Sequence, residues 1–581
     1  MKNKQFNLSN PIFFIFIMLF SMVFSALLTN ENIPDFSNYH YYNAWAFLNH
    51  QTVSAVPAAS LNTFFNPLLD IPLYFYIQFF NDHVLFIHAL QGIWTGLFLF
   101  VLYKINTLIL KNTKKPLLYN IIVLLIALTA QATYTQIGSS TNEVTVAFLI
   151  LWSVYILFKV LFSNSQKLIS FVFAGYILGC ALGAKPTCLP YCIATGLWLM
   201  ILHKNFKKPA LSVFVFALSG FAGYLTVNGY FMYLYYKAFA NPFAPMFNNI
   251  FHSPYFFDWD YRDARFTPSL KTFFIYPYLW NIHPLTIAEI PYRDIRLALY
   301  YTLCLILSVC FLKNRKKATN LSRETYFLYW LVLLNFVLWM AMFSILRYAV
   351  PVEALGALLF VKYLTESPLF RRFYMRLMFY VIFIALVICP VFYLKWGTTT
   401  SSQKIQIEKI TLPDNSLVKI YGIFSSFLIP ELKKNPSCTV TTHYSNYKAV
   451  QFNGQYLLMK GYDFVEQGPF LEKRNAIENA HKGPVIYIIN SWFFQTSLED
   501  LQKARQQLIE QCELYAQTHA TTEKYEEYRQ NCLQFSEQLY NKEYVMTSSE
   551  GYYCRPLQNN LTYSLKICVP NNLKNVILAS D

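Results

Sequence analysis

The chain has 581 residues, 55% of them hydrophobic and 13% charged, against about 45–50% and about 25% in ordinary soluble domains. Mean hydropathy is +0.31, and the net charge of +16 is carried unevenly: residues 1–396 hold 29 basic and 13 acidic side chains, whereas residues 397–581 hold 18 of each. This excludes a single soluble globule and a disordered chain. A nucleic-acid partner is excluded too, because the lysines and arginines fall in short clusters between apolar runs.

Apolar stretches near spanning length lie at about 9–29, 83–106, 117–135, 143–163, 168–184, 187–202, 209–236, 296–312, 325–343, 345–364 and 377–395. A helix needs around 20 such residues to cross a ~30 Å hydrocarbon core and must satisfy its own backbone there. The pattern predicts about eleven transmembrane helices over residues 1–396. Charge gives an independent check. With Lys2 and Lys4 in the cytosol, eleven crossings put five further groups on the same side: Lys104 to Lys115, Lys159 with Lys167, Lys204 to Lys208, Lys313 to Arg323, and Arg371 to Arg376. Only Glu324 and Glu366 join them as acids. This is the lysine and arginine bias of cytoplasmic loops, and it places residues 397–581 outside. The first helix lacks a small-x-small cleavage site at Phe24-Ser25-Ala26-Leu27-Leu28 and reads as a retained anchor.

Two long external loops, about 30–82 and 237–295, are rich in aromatics and proline. Segments such as 60–80 are expected to lie along the membrane interface. The first loop opens Asp35-Phe36-Ser37-Asn38-Tyr39-His40, just beyond the first helix. A carboxylate held at a rigid helix end suits a general base for an incoming hydroxyl; the alternative is a solvated cap for a helix over 38–46. Tyr39 and His40 are candidates to orient that base or to contact a sugar. In the short turn Gly138-Ser139-Ser140-Thr141-Asn142-Glu143, Asn142 or Thr141 reads as a helix cap, with Glu143 in the first turn. The hairpin Gly183-Ala184-Lys185-Pro186-Thr187 carries an external lysine against the charge bias, which makes Lys185 a candidate for an anionic headgroup or diphosphate.

In the second loop, Asp258-Trp259-Asp260-Tyr261-Arg262-Asp263-Ala264-Arg265 alternates acids and arginines. Either these pair among themselves, or Arg262 and Arg265 grip a phosphate by bidentate hydrogen bonds. The aspartates are also candidates for a divalent metal ion, the one cofactor the sequence raises, although no further ligands are identified. Arg347-Tyr348 and Glu353 open a late apolar helix. Charges there are expensive and face a partner or a cavity: Arg347 meets a lipid-linked phosphate, or it pairs with Glu353 to secure packing.

Residues 397–581 show strand patterns near 418–421, 440–443, 483–490, 552–556 and 562–569, with a charged amphipathic helix over about 498–540. They predict a small external α/β or α+β domain. An external location permits disulfides, with Cys512–Cys532 and Cys554–Cys568 as candidate pairs.

Taken together, the layout resembles the GT-C superfamily, polytopic bacterial membrane glycosyltransferases that use polyprenyl-phosphate sugars, closest to ArnT/PMT-like or uncharacterised branches. The resemblance rests on Asp35 with Asn38-Tyr39-His40, on Asn66-Pro67-Leu68, on Gly183-Ala184-Lys185-Pro186-Thr187, and on Arg347-Tyr348 with Pro351. It covers residues 1–396. It implies a multi-pass protein of the bacterial cytoplasmic (inner) membrane with an external C-terminal domain. It also implies a polyprenyl-phosphate sugar donor, a glycan, lipid or protein acceptor, Asp35 as base, and Lys185 and Arg347 on the phosphate. The first loop lacks an adjacent Asp-Glu pair, which sets it apart from metal-linked versions of that mechanism. Two other classes compete: a transporter or flippase for a lipid-linked glycan, and a non-catalytic envelope scaffold.

Overall fold

The structure is a computed structural model. It describes residues 11–28, 35–54, 56–163, 166–258, 260–288, 290–313, 321–368, 372–392, 407–422, 425–443, 447–452, 455–460, 465, 468–490, 552–557 and 565–574, with isolated positions between 506 and 530. The chain folds into two compact units, and they do not divide at one point. One comprises residues 1–33, 66–233 and 260–402; the other comprises 34–65, 234–259 and 403–581. Parts of both long loops therefore fold with the C-terminal region.

Each of the eleven apolar stretches forms a helix. Six are long and apolar enough to cross a membrane: Pro11–Leu28, Val84–Ile109, Glu143–Leu161, Pro209–Phe239, Arg323–Met342 and Leu346–Glu366. The other five are shorter: Pro116–Leu128, Leu168–Ala184, Pro186–Ile201, Arg296–Phe311 and Phe373–Ile388. At 1.5 Å per residue, the 13-residue Pro116–Leu128 helix is only about two thirds of the ~30 Å core. The chain is a multi-pass helical membrane protein whose apolar helices vary in length. Leucines, isoleucines and phenylalanines of Pro11–Leu28 stay exposed along one side, as a lipid-facing helix requires.

Close approach in this unit is made by glycine. The Leu168–Ala184 and Pro209–Phe239 helices cross with their backbones touching: a Cβ on Gly179 would lie 1.8 Å from the Gly220 carbonyl oxygen, and one on Gly175 2.1 Å from that of Phe216. Without a hydrophobic drive between helices in lipid, such van der Waals contact between backbones is what holds them. Two carboxylates buried among the helices are hydrogen-bonded. Glu353 accepts from the Ala132 and Thr133 amides (3.0 and 2.9 Å) and from the Thr133 hydroxyl (3.1 Å). Asp294 accepts from the Gln131 and Arg296 amides at 3.1 and 2.9 Å.

The second unit contains a mixed α/β sheet. Strands β1 (Leu417–Tyr421), β2 (Thr439–His443), β3 (Tyr447–Phe452), β4 (Gln455–Lys460), β5 (Val485–Asn490), β6 (Tyr552–Leu557) and β7 (Leu565–Pro570) are seen. Five form a sheet ordered β2-β1-β5-β7-β6, and β3 pairs with β4 as a separate antiparallel ribbon. β2, β1 and β5 run parallel, with Leu417 opposite both Thr439 and Val485, while β7 and β6 return antiparallel. The central β1 buries Leu417, Val418, Ile420 and Tyr421, the near-continuous apolar run of a strand covered on both faces. All five expected strands lie where the short apolar runs placed them. Cys554 and Cys568 stand directly opposite on β6 and β7 and form a disulfide. Cys512 and Cys532 lie outside the described residues, as does nearly all of the 498–540 segment.

A half-buried charge cluster braces this sheet. Glu478, on the Gly468–Ala480 helix, takes Lys419 of β1 at 2.6 Å and His443 and Thr441 of β2 each at 2.7 Å. Burial alone would raise its pKa, but the hydrogen bonds from His443 and Lys419, with His443's charge, outweigh burial and bring the carboxyl down to about 2. An unfolded glutamate titrates near 4.3, so this contribution is fully present above about pH 4.5 and is lost as pH falls toward about 2. Replacing Glu478 by Gln is expected to cost about 2 kcal/mol of stability at neutral pH. The gap to the unmodified protein should close as pH falls through that window. Thermal unfolding of both proteins at pH 7 and pH 3 checks this, and equal stability at pH 7 would refute it.

Candidate functional site

In the membrane unit, three of the short motifs converge. Asn66, within the first long loop, donates its side-chain amide to the carbonyls of Gly183 and Val227, both at 3.1 Å. That contact ties the 66–68 turn to the C-terminal end of the Leu168–Ala184 helix and to the Pro209–Phe239 helix. Two residues after Gly183 comes Lys185, in extended backbone where Pro186 stops the helix. Its ammonium lies 5.6 Å from the centre of the Tyr348 ring, and the Arg347 guanidinium lies 5.4 Å from the same centre. Two cations 162 residues apart in the chain thus lie against one aromatic ring, a cation–π arrangement worth ~0.5–2 kcal/mol each. The Tyr191 hydroxyl donates to the Tyr348 carbonyl and fixes that turn. Beside it lies a small recess whose lining includes Glu143, Thr187, Cys188, Tyr191, Tyr348 and Pro351.

Lys185 is already engaged. It is ion-paired with Glu143 and donates to the Thr141 carbonyl at 2.6 Å. Glu143 stands in the first turn of the Glu143–Leu161 helix and Lys185 at the C-terminal cap of the Leu168–Ala184 helix. Each charge therefore also complements its helix dipole. Asn142 does precede the helix, in a left-handed conformation at φ 63°, but makes no side-chain cap; its amide donates instead to Asp70 at 2.6 Å. The carboxylate of Glu353, the alternative partner of Arg347, binds the backbone at Ala132 and Thr133 as described above.

The second-loop arginines stand apart from this arrangement. Arg262 pairs bidentately with Asp260 (3.0 and 2.6 Å) and Arg265 with Asp263 (2.8 and 2.6 Å), all on an exposed stretch. This is the local pairing, and it draws both guanidinium forks onto their own neighbours. The hydrogen bond from Arg262 holds the Asp260 carboxyl below its ordinary range. Among the described residues, no three His, Cys, Asp or Glu side chains are grouped so as to hold a metal ion.

Asp35, Tyr39 and His40 belong to the other unit. Phe36–His40 is a single π-helical turn leading directly into the Tyr41–Leu48 helix, and Asp35 occupies its N-cap position without a capping hydrogen bond from its side chain. π-turns of this kind concentrate at functional sites. Asp35 is half-buried, while Ser37, Asn38, Tyr39 and His40 are buried. Tyr39 and His40 lie 4.1 Å apart, and Tyr39 packs edge-on against Phe65 at 5.3 Å. Both rings are thus placed to shape the segment beneath Asp35. Asn43 braces it further by donating to the Asn62 carbonyl at 2.8 Å.

Three contributors were not singled out as site residues from sequence: Tyr191, Asn43 and the pairing of Glu143 with Lys185. A faint signal existed for Tyr191, a polar aromatic in the first turn after the Lys185 hairpin. The other two depend on segments that meet only in the folded chain.

No family model matches the chain, and no curated protein matches it. Among solved structures, the chain is similar to the crystal structure of ArnT from Cupriavidus metallidurans bound to undecaprenyl phosphate, at 15% identity and a TM-score of 0.42. The likeness covers 65% of this chain and spans 64% of that one. At that distance it carries no functional weight, and the reading below rests on the residues themselves.

Proposed function

We propose that the protein is an inverting glycosyltransferase that moves a sugar from a polyprenyl-phosphate donor to an external glycan, lipid or protein acceptor. The supporting observation is the pair of cations beside Tyr348: Lys185, on the hairpin that the Asn66–Gly183 bond ties down, and Arg347 converge beside a recess in a unit built of apolar helices. An anion carried on a lipid reaches such a place laterally through the bilayer. Its arrival exchanges one anion for another, because Lys185 turns from Glu143 to a phosphoryl oxygen. The acceptor oxygen bonds to the anomeric carbon while the bond from that carbon to the phosphate oxygen breaks. Asp35 takes the acceptor proton, and the negative charge on the departing lipid phosphate is met by Lys185 and Arg347. No second carboxylate is assigned as a nucleophile, so one displacement with inversion follows. On this reading the N-terminus is cytosolic, residues 397–581 are external, and the membrane is the bacterial inner membrane.

Binding of undecaprenyl phosphate to the purified protein, followed by native mass spectrometry, tests the phosphate site. Lys185→Met and Arg347→Met are each expected to weaken binding roughly 10-fold or more. Arg347→Lys should restore it only in part, because an ammonium cannot reproduce the planar fork. Undiminished binding in both methionine variants would rule the site out.

A further inference from the structure

We infer that the C-terminal domain holds the Asp35 segment in its working shape, and that Ser426 is the positioning residue through which it does so. This rests on Asp35 being the base. The decisive contact joins residues 388 positions apart: the Ser426 hydroxyl, buried at the start of the Ser426–Leu428 turn that follows β1, donates to the Asn38 carbonyl. It also lies 3.3 Å from the Ser37 carbonyl oxygen. Both carbonyls belong to the π-helical turn Phe36–His40. A π-turn is wider than an α-turn and tends to appear as a single turn where outside groups engage the backbone. A donor aimed at its carbonyls favours the widened turn over a regular helix. Asp35 is the residue from which that turn starts, so its direction follows the turn.

Other ties repeat the pattern. The Thr442 hydroxyl on β2 donates to the Pro57 carbonyl at 3.2 Å. Phe470, on the Gly468–Ala480 helix, packs against Tyr255 at 4.9 Å and Phe239 at 5.6 Å. Phe239 in turn stacks edge-on with Phe64 at 5.6 Å. Segments 34–65, 234–259 and 403–581 thus share one core. Ser426 differs from these ties because it acts on carbonyls of the turn that Asp35 begins. A positioning residue changes how fast bound substrate reacts. A merely structural one changes how much protein is folded.

The experiment uses the full-length protein in membranes. Turnover is read as release of polyprenyl phosphate from short-chain polyprenyl-phosphate monosaccharides, with cell-envelope extract as acceptor. Ser426→Ala is expected to lower kcat roughly 10- to 100-fold, the scale of a misplaced catalytic group, with donor KM within about twofold. Ser426→Thr, which keeps the donor, should return kcat to within about threefold of the starting protein. In the Asp35→Asn background, Ser426→Ala should add no further loss. Unchanged kcat in Ser426→Ala beside a large loss in Asp35→Asn would overturn the positioning role and leave the base intact. Full turnover in Asp35→Asn would overturn the base, and with it this inference. If Ser426→Ala does not fold, the isosteric Ser426→Cys, a weak donor, is read in the same way, and unchanged kcat there overturns the proposal.

Discussion

Replacing Asp35 by Asn is expected to cut sugar transfer by roughly 10²–10⁴-fold, the contribution of a positioned general base. Asparagine preserves size and most hydrogen bonding and removes the basicity. Because the amide keeps the shape of the carboxylate, the melting temperature should move little. Binding of undecaprenyl phosphate, assigned to Lys185 and Arg347, should also be unchanged. The measurement is initial transfer rate together with lipid binding and thermal stability on one preparation. A large fall in rate alone supports the base. A fall in stability with proportionate loss of activity returns Asp35 to a structural role, and full activity removes it from the mechanism.

The second large effect concerns the membrane unit's packing. Gly179→Leu is expected to abolish recovery of folded protein, because even its Cβ would sit 1.8 Å from the Gly220 carbonyl oxygen and 2.7 Å from its carbon. Those atoms are backbone and cannot rotate away, so the Leu168–Ala184 and Pro209–Phe239 helices must separate. Separation breaks the two bonds that Asn66 makes to Gly183 and Val227, which carry the turn before Lys185. Overpacking of a core costs ~1–3 kcal/mol where side chains can yield, and more where backbone is struck. Gly179→Ala should therefore already lower thermal stability by several degrees or more. Gly196→Ala is the control: nothing lies within 4 Å of its Cβ position, and alanine is the better helix former by ~1 kcal/mol. Detergent-solubilised yield and melting temperature separate the three variants. Normal stability in Gly179→Leu would contradict the close crossing.

The sequence by itself determined what depends on near neighbours. Eleven apolar stretches became helices, and five short strand-like runs became β1, β2, β5, β6 and β7, because hydropathy and side-chain type act within a few residues. Asp35 was legible as a residue at the head of a helical segment, and Lys185 as an exception to the charge bias. Tertiary structure alone decided their surroundings. Lys185 meets Glu143 across 42 residues, and Asn66 reaches Gly183 across 117. Arg262 and Arg265, alike in sequence as candidate phosphate ligands, turn back onto Asp260 and Asp263, since an acid two residues away meets the fork without further ordering of the chain. The allocation of 34–65 and 234–259 to the same compact unit as 403–581 left no mark on hydropathy or charge. It arises from bonds such as Ser426 to Asn38 and from aromatic packing around Phe470, whose free energy depends on groups hundreds of residues apart arriving at one place. Local pattern records which element a segment forms; which partner that element meets is set by the complementarity of surfaces that exist only once the chain has folded.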